Sequence, residues 1–100
     1  MKHSYEKECA SLLWYAKKHG FEPIGVEYDG HLETNPAEFV EHMLATYSAY
    51  LYLEKDGREF LLLVIIGNSP GELVADGSSG DGTADLWAMV DEHVERWEQC

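Results

Sequence analysis

Carboxylates dominate the side chains of this sequence that could do chemistry. The chain carries 19 Asp and Glu against 7 Lys and Arg, a formal net charge of −12. Like charges at i, i+4 repel one another within a helix, so stability alone would not select the acids that crowd the last third of the chain. They predict either a purely solubilising surface or one that attracts a basic partner. The candidate partner-binding residues are Asp81, Asp85, Asp91, Glu92, Glu95 and Glu98.

The other polar residues predict no catalytic, cofactor or metal site. No two of the five histidines stand at the i, i+4 spacing that places two imidazoles on one helical face. The glycine-rich segment 77–83 is spaced like a phosphate loop, but it lacks the lysine and carries Asp81 where an anion would sit. Ser69 stands between Gly67 and Gly71 at the G-x-S-x-G spacing, but no histidine lies near it in sequence to complete a catalytic pair. We therefore expect a protein that is not an enzyme, whereas a cleft joining His31 or His93 to carboxylates would favour one.

Charge and hydropathy also narrow the partners and the compartment. The chain is negatively charged, with a sequence pI near 4.6, and so repels phosphates and anionic lipids. We therefore expect neither nucleic acid nor a membrane as a direct partner. No apolar run approaches the roughly 18 residues that span a bilayer, and the first residues lack the apolar core of a signal peptide. Cys9 and Cys100 form no C-x-x-C motif, so we expect no disulfide. These features predict a cytoplasmic protein.

The apolar residues predict one α+β domain over residues 1–100. Helical spacing indicates amphipathic helices at 4–19, 36–46 and 84–98. A central β-hairpin at 49–66 turns at Asp56-Gly57, and residues 23–28 add a possible edge strand because Pro23 cannot donate to a ladder. The expected architecture is an antiparallel sheet, built on that hairpin, against about three helices.

The hairpin register is open between two alternatives. A two-residue turn sets Lys55 opposite Arg58 and Glu54 opposite Glu59, which places like charges across the ladder twice. A three-residue loop with Gly57 as a left-handed bulge sets Glu54 opposite Arg58 instead. Charge favours the three-residue loop.

The strand at 60–66 is apolar on both of its faces. Alternate residues of a strand point to opposite sides, so this composition predicts a central strand covered on both sides. Helices of the same chain would supply the cover, or a second copy would do so in a homodimer.

The segment after this strand has the signature of a short helix. Ser69 and Glu72 form a capping box with Pro70 at the first helical position, which predicts one or two turns over 73–76. From Leu63 to Asp76 the chain resembles small uncharacterised acidic proteins of phages and prophages, in which a strand runs through a Gly-Asn-Ser/Asp-Pro turn into a short acidic helix. Its size and acidity are similar to those of anti-CRISPR and anti-restriction inhibitors.

That resemblance implies a non-enzymatic protein that binds and blocks a host nucleic-acid-handling complex, in the host cytoplasm, through its acidic surface. An immunity protein or antitoxin for a basic nuclease would use the same electrostatics. A homodimeric phage structural or assembly factor, paired through 60–66, is the third expectation. The sequence leaves the partner, the strand order and the oligomeric state open.

Overall fold

The structure is a computed structural model that describes residues 4–67, 69 and 71–98. The elements, in chain order, are α1 (Tyr5–Lys18), β1 (Glu22–Tyr28), β2 (His31–Glu33), a 3-10 turn (Pro36–Glu38), α2 (Phe39–Leu44), β3 (Ser48–Lys55), β4 (Arg58–Ile65), β5 (Val74–Gly77) and α3 (Ala84–Glu98). These strands form one sheet in the order β2-β1-β3-β4-β5, and every neighbouring pair is antiparallel. Within the described residues, this arrangement confirms the predicted α+β class, with three helices and an antiparallel sheet built on the central hairpin.

Capping residues mark both ends of α1. At the start of α1 the Ser4 Oγ accepts a hydrogen bond from the Lys7 N–H at 3.3 Å, and Gly20, at φ +86°, ends the turn that follows the helix. The Trp97 indole N–H in α3 donates to the Ser11 Oγ of α1 at 2.9 Å. The helices and one face of the sheet enclose a common apolar core.

The hairpin register favoured on charge is wrong. Lys55 pairs with Arg58 and Glu54 with Glu59, so the turn has two central residues, Asp56 at φ 53° and Gly57 at φ 78°. Positive φ at both positions is the type I′ geometry, whose twist matches that of the flanking strands. Glu54, Arg58 and Glu59 are exposed at the end of the sheet and Lys55 is half-buried, so each like-charge pair costs about 1 kcal/mol or less. Turn geometry outweighs that cost.

Residues 73–76 do not form the predicted helix. They enter β5, which pairs Val74 with Val64 and Asp76 with Leu63, while the Ile65 N–H donates to the Leu73 carbonyl at 2.8 Å. Without β5 the backbone groups along this edge of an apolar strand would lack partners, so long-range pairing overrides the local signal. A turn remains, since the Glu72 N–H donates to the Ser69 carbonyl at 2.9 Å. Pro70 of the predicted capping box lies outside the described residues.

The strand predicted at 23–28 is present as β1, but it is not an edge strand. The turn at Asp29-Gly30 leads into β2, which was not predicted from the sequence and which pairs with Val26–Tyr28. Pro23 is tolerated because β2 does not extend that far along β1. The predicted helix at 36–46 is a 3-10 turn followed by the six-residue α2.

Among the described residues, helices of this chain cover one side of strand 60–66. Of the two expected sources of cover they supply that side alone, and cover of the other side by a second copy stays a prediction. Phe60, Leu62 and Val64 point into the core and are at most 5% exposed. Leu61, Leu63 and Ile65 alternate with them, are only half-buried, and point to the opposite side. The sheet thus has a covered face and a face that no described helix packs against.

Candidate functional site

The candidate site is the face of the sheet opposite the described helices, which we call the open face. Strand pairing arranges its side chains in rows that run across the strands, and one row crosses all five. The rows are Leu32, Glu27, Tyr50, Leu63 and Asp76; then Gly25, Tyr52 and Leu61; then Glu22, Glu54 and Glu59; and, at the other end, Ser48 with Ile65.

The centre of the open face is aromatic and aliphatic. Leu32 is 57% exposed and Tyr50 is 43% exposed, which is high for large apolar side chains on a sheet. The Tyr52 hydroxyl donates a hydrogen bond to the Glu27 Oε1 at 2.8 Å. This bond, together with partial burial and the nearby negative charges, raises the pKa of Tyr52 above its usual value. The hydroxyl therefore stays protonated and holds the Glu27 carboxylate in place.

Carboxylates lie at one end of this apolar centre and within its longest row. Glu22, Glu54 and Glu59 stand side by side across β1, β3 and β4, while Glu27 and Asp76 lie within the longest row. Among the described residues, no Lys or Arg points to this side. Lys55 and Arg58 belong to the hairpin but turn to the helix side, where they lie over the rings of Phe21 and Phe60, and the other described cations are in α1 and α3.

The acids predicted from the sequence as the partner-binding surface lie elsewhere, on and just before α3. Asp81, Asp91 and Glu95 are exposed. Two others are held in ion pairs: Asp85 Oδ2 lies 3.3 Å from the Lys55 Nζ, and Glu92 contacts both Lys18 and His19. Glu98 ends α3, and its side chain lies outside the described part of the structure. The structure does not bring these residues together with the open face.

Glu92 illustrates how α3 neutralises part of its own charge. Hydrogen bonds from Lys18 and from His19, whose Nε2 lies 2.7 Å from Glu92 Oε2, lower the pKa of the Glu92 carboxyl. The hydrogen bond between Lys18 and Glu92 also raises the pKa of Lys18. A carboxylate that already accepts hydrogen bonds from two neighbouring side chains attracts a basic partner more weakly.

A second cluster of titratable groups surrounds a cavity of about 220 Å³ beside β2 and α2. The Asn35 N–H, donating at 3.0 Å, and a hydrogen bond with Glu38 lower the pKa of Glu33, while the bond to Glu33 and its negative charge raise the pKa of Glu38. The ring of His42 stands 4.4 Å, centroid to centroid, from Tyr28. The lining contains no Ser, Cys or Lys nucleophile. We interpret this cluster as fastening the loop that enters α2.

Histidine and carboxylate also meet inside the helical layer. The His93 Nε2 of α3 lies 3.5 Å from the Glu8 Oε2 of α1, and both side chains are fully buried. Burial raises the pKa of the neighbouring Cys9 thiol to about 12, with help from the charge of Glu8. The pair is enclosed by protein on all sides, so it offers no access to a substrate. Among the described residues, no three His, Cys, Asp or Glu are grouped to hold a metal ion.

The open face was not predicted from the sequence, although a signal for it was present. In β3, Ala49, Leu51 and Leu53 alternate with Tyr50, Tyr52 and Glu54, which is the pattern of a strand with one core face and one solvent face. The apolar run at 60–66 concealed the same alternation in β4. Only pairing between the two strands shows that the aromatic, aliphatic and acidic residues share one surface.

The fold and this surface define a two-layer α+β protein in which helices pack on one side of an antiparallel sheet and the other side presents apolar and acidic side chains. Comparison of the chain with protein-family models, with curated proteins and with solved structures found no match. Within the described residues, no helix has the length and apolar character needed to cross a membrane.

Proposed function

We propose that this chain is a binding protein that engages a basic protein partner through the open face. The observation that carries the proposal is the composition of that face: an aromatic and aliphatic centre, five carboxylates beside and within it, and none of the described Lys or Arg residues. Apolar centres with polar surroundings are typical of protein interfaces. Here the charges have a single sign, so a complementary partner surface is positive.

Electrostatics favours a basic partner over the other candidates. Nucleic acid would bring phosphates against Glu22, Glu54 and Glu59, and a second copy would bring one negatively charged face against another. Pairing along the sheet edges is also disfavoured, because β2 has three residues and β5 has four with a register shift.

The narrower function expected from the sequence is inhibition of a host nucleic-acid-binding complex of the kind that anti-CRISPR proteins block. It is a specific form of this proposal, because a surface that binds phosphates is basic. An immunity protein for a basic nuclease would use the same face. A partner that bound the open face while retaining its nucleic acid would contradict the inhibitory form and leave the binding function in place.

The proposal is tested with a nonapeptide of arginine, leucine and glycine, titrated into the ¹⁵N-labelled protein and followed by NMR. We expect shift changes on β1, β3 and β4 that weaken with added salt, and no such changes with a peptide in which serine replaces arginine. Changes confined to α3 would overturn the open face as the site and favour the acids predicted from the sequence.

Two double variants with the same change in net charge locate the surface. Glu54→Lys with Glu59→Lys alters the open face, and Asp91→Lys with Glu95→Lys alters α3. We expect the first to weaken peptide binding about tenfold or more and the second to change it about twofold or less, the difference between contact and long-range attraction. Equal losses would contradict a defined site. A stable dimer in sedimentation equilibrium that Leu63→Asp dissociates would overturn the basic partner in favour of a second copy.

A further inference from the structure

The open face is not flat, because a groove of about 330 Å³ crosses it above β1. Gly25 forms the floor, since it places no side chain on this face. The Leu32 Cδ1 lies 2.9 Å from where a Cβ on Gly25 would stand, so the leucine side chain leans over the glycine and forms one wall. The lining residues are Ile24, Gly25, Glu27, Leu32, Tyr52 and Glu59.

The chemistry of the groove combines two kinds of contact. Ile24, Leu32 and the ring of Tyr52 provide apolar surface, while Glu27 and Glu59 provide carboxylates. The Tyr52 hydroxyl donates its hydrogen bond to the Glu27 Oε1. The Glu27 Oε2 can then accept a hydrogen bond from a ligand. A side chain that suits both kinds of contact has an aliphatic stem and a cationic end.

We propose that this groove binds an arginine side chain of the partner, an inference that rests on the proposed function. The methylene groups pack against Leu32 and Ile24, and the guanidinium lies against the Tyr52 ring with Glu27 and Glu59 as its acceptors. Arginine suits the groove better than lysine because its planar guanidinium stacks on an aromatic ring and donates to carboxylates in a fixed fork. The groove thus supplies the specificity that charge alone lacks.

The test compares three nonapeptides that differ only in replacing arginine by lysine or by citrulline, which keeps the shape and removes the charge. We expect the arginine peptide to bind tightest, with shift changes at Gly25, Leu32 and Tyr52 that the citrulline peptide does not produce. Gly25→Ala should weaken the arginine peptide about tenfold, since one methyl group placed in a fitted groove has an effect of that order. The backbone of Gly25 lies outside the left-handed region, and the added Cβ meets the flexible end of Leu32, so this variant is expected to fold.

A second pair of variants separates the groove from general charge. Glu59→Gln removes one carboxylate of the groove, and Asp91→Asn removes one from α3. We expect the first to lower affinity for the arginine peptide several-fold more than affinity for the lysine peptide, and the second to affect neither. If all the basic peptides bind the open face equally and Gly25→Ala binds like the natural chain, the arginine groove is wrong and the proposed function stands. If no basic peptide binds the open face, both are wrong.

Discussion

The two faces of the sheet contain the same kinds of apolar residue in opposite surroundings. On the covered face of β4, Leu62 is completely buried between the strands and the helices. Its neighbour Leu63, one position along, is half-buried beside Tyr50 and Asp76 on the open face. The residue type is identical, and only the alternation of the strand separates them. Whether a leucine of this sheet lies in the core or on the open face therefore depends on which side of the strand its position points to.

Negative charge is also distributed differently on the two sides. On the helix side, Glu8 meets His93, Asp85 meets Lys55, and Glu92 meets Lys18 and His19. On the open face the cross-strand neighbours of acids are other acids, tyrosines or leucines. Ion pairs therefore neutralise part of the negative charge on the helix side, where Asp81, Asp91 and Glu95 stay exposed, whereas none of the described Lys or Arg residues pairs with an acid of the open face. This difference supports the proposed function, because acids without a basic neighbour can attract a basic partner.

The largest expected effect comes from the buried pair on the helix side. His93→Leu removes the basic group whose Nε2 lies 3.5 Å from the buried Glu8 carboxylate, and we expect the free energy of unfolding to fall by about 3 to 5 kcal/mol in urea titrations. Replacing both residues by leucine should restore most of the loss, because two buried polar groups are then exchanged for apolar packing. A double variant as unstable as His93→Leu would contradict this account.

Leu62 and Leu63 test the two faces directly. Leu62→Ala creates a cavity in the core, and we expect it to lower the free energy of unfolding by about 2 to 5 kcal/mol. Leu63→Ala removes the same atoms from the open face and should cost less than about 1.5 kcal/mol, since much of that side chain is already in contact with water. The measurement is chemical denaturation of both variants at low protein concentration. Equal losses would mean that another molecule covers the open face in solution.

Periodicity was enough to predict the helices, the central hairpin and the α+β class, because each rests on signals within one segment. The wrong predictions concern residues whose structure depends on contacts with distant parts of the chain. Leu73 and Val74 follow the capping pattern of Ser69 and Glu72, which predicts a helix. They pair with β4 instead, because the backbone groups along that edge of β4 would otherwise lack hydrogen-bond partners. The three residues of β2 are too few to show a pattern, and the register at Glu54 was set by turn geometry rather than by charge.

The candidate site shows the same limit. The sequence predicted a negative surface and a basic partner, which stay predictions, and it placed the surface on α3 because acids there are close together along the chain. Glu22 is far from Glu54 in sequence and directly opposite it in the sheet, while Glu59 faces Glu54 through the hairpin register. Their grouping depends on strand order and on that register, and charge along the chain indicates neither.

Two glycines in strands provide a matched comparison of the faces at smaller cost. A Cβ on Gly77 would stand 2.8 Å from the Leu62 Cδ2 and 2.9 Å from the Leu61 carbonyl oxygen, which cannot move away. We expect Gly77→Ala to cost about 1 to 3 kcal/mol. Gly25→Ala meets only the end of Leu32 on the open face and should change stability by less than about 1 kcal/mol in either direction. Thermal unfolding of both variants decides, and a larger loss from Gly25→Ala would reverse the assignment of the faces.

Glu92 tests whether the acids of the helix side are neutralised. Its folded-state pKa is lowered, first by the hydrogen bond from Lys18 and then by that from His19. Ionised Glu92 therefore stabilises the folded protein above the unfolded-state pKa, and this contribution is lost as the pH falls through the folded-state pKa. We expect Glu92→Gln to lower the Tm at pH 7, with the difference vanishing well below pH ~4. Asp91→Asn, at its exposed neighbour, serves as the matched control.

The smallest effect has the opposite sign and lies on the open face. Glu59 stands directly across from Glu54, so Glu59→Lys exchanges a repulsive cross-strand pair for an attractive one. We expect stability to rise by about 0.2 to 1 kcal/mol in thermal or urea unfolding, with the gain reduced at high salt. The same variant should bind the arginine peptide less tightly, because it removes a carboxylate of the groove and adds a like charge to the ligand. A carboxylate whose replacement makes the fold more stable and the peptide complex weaker is retained for binding rather than for folding. If the variant is more stable and binds the peptide unchanged, the acids of the open face contribute charge to the protein and nothing to recognition.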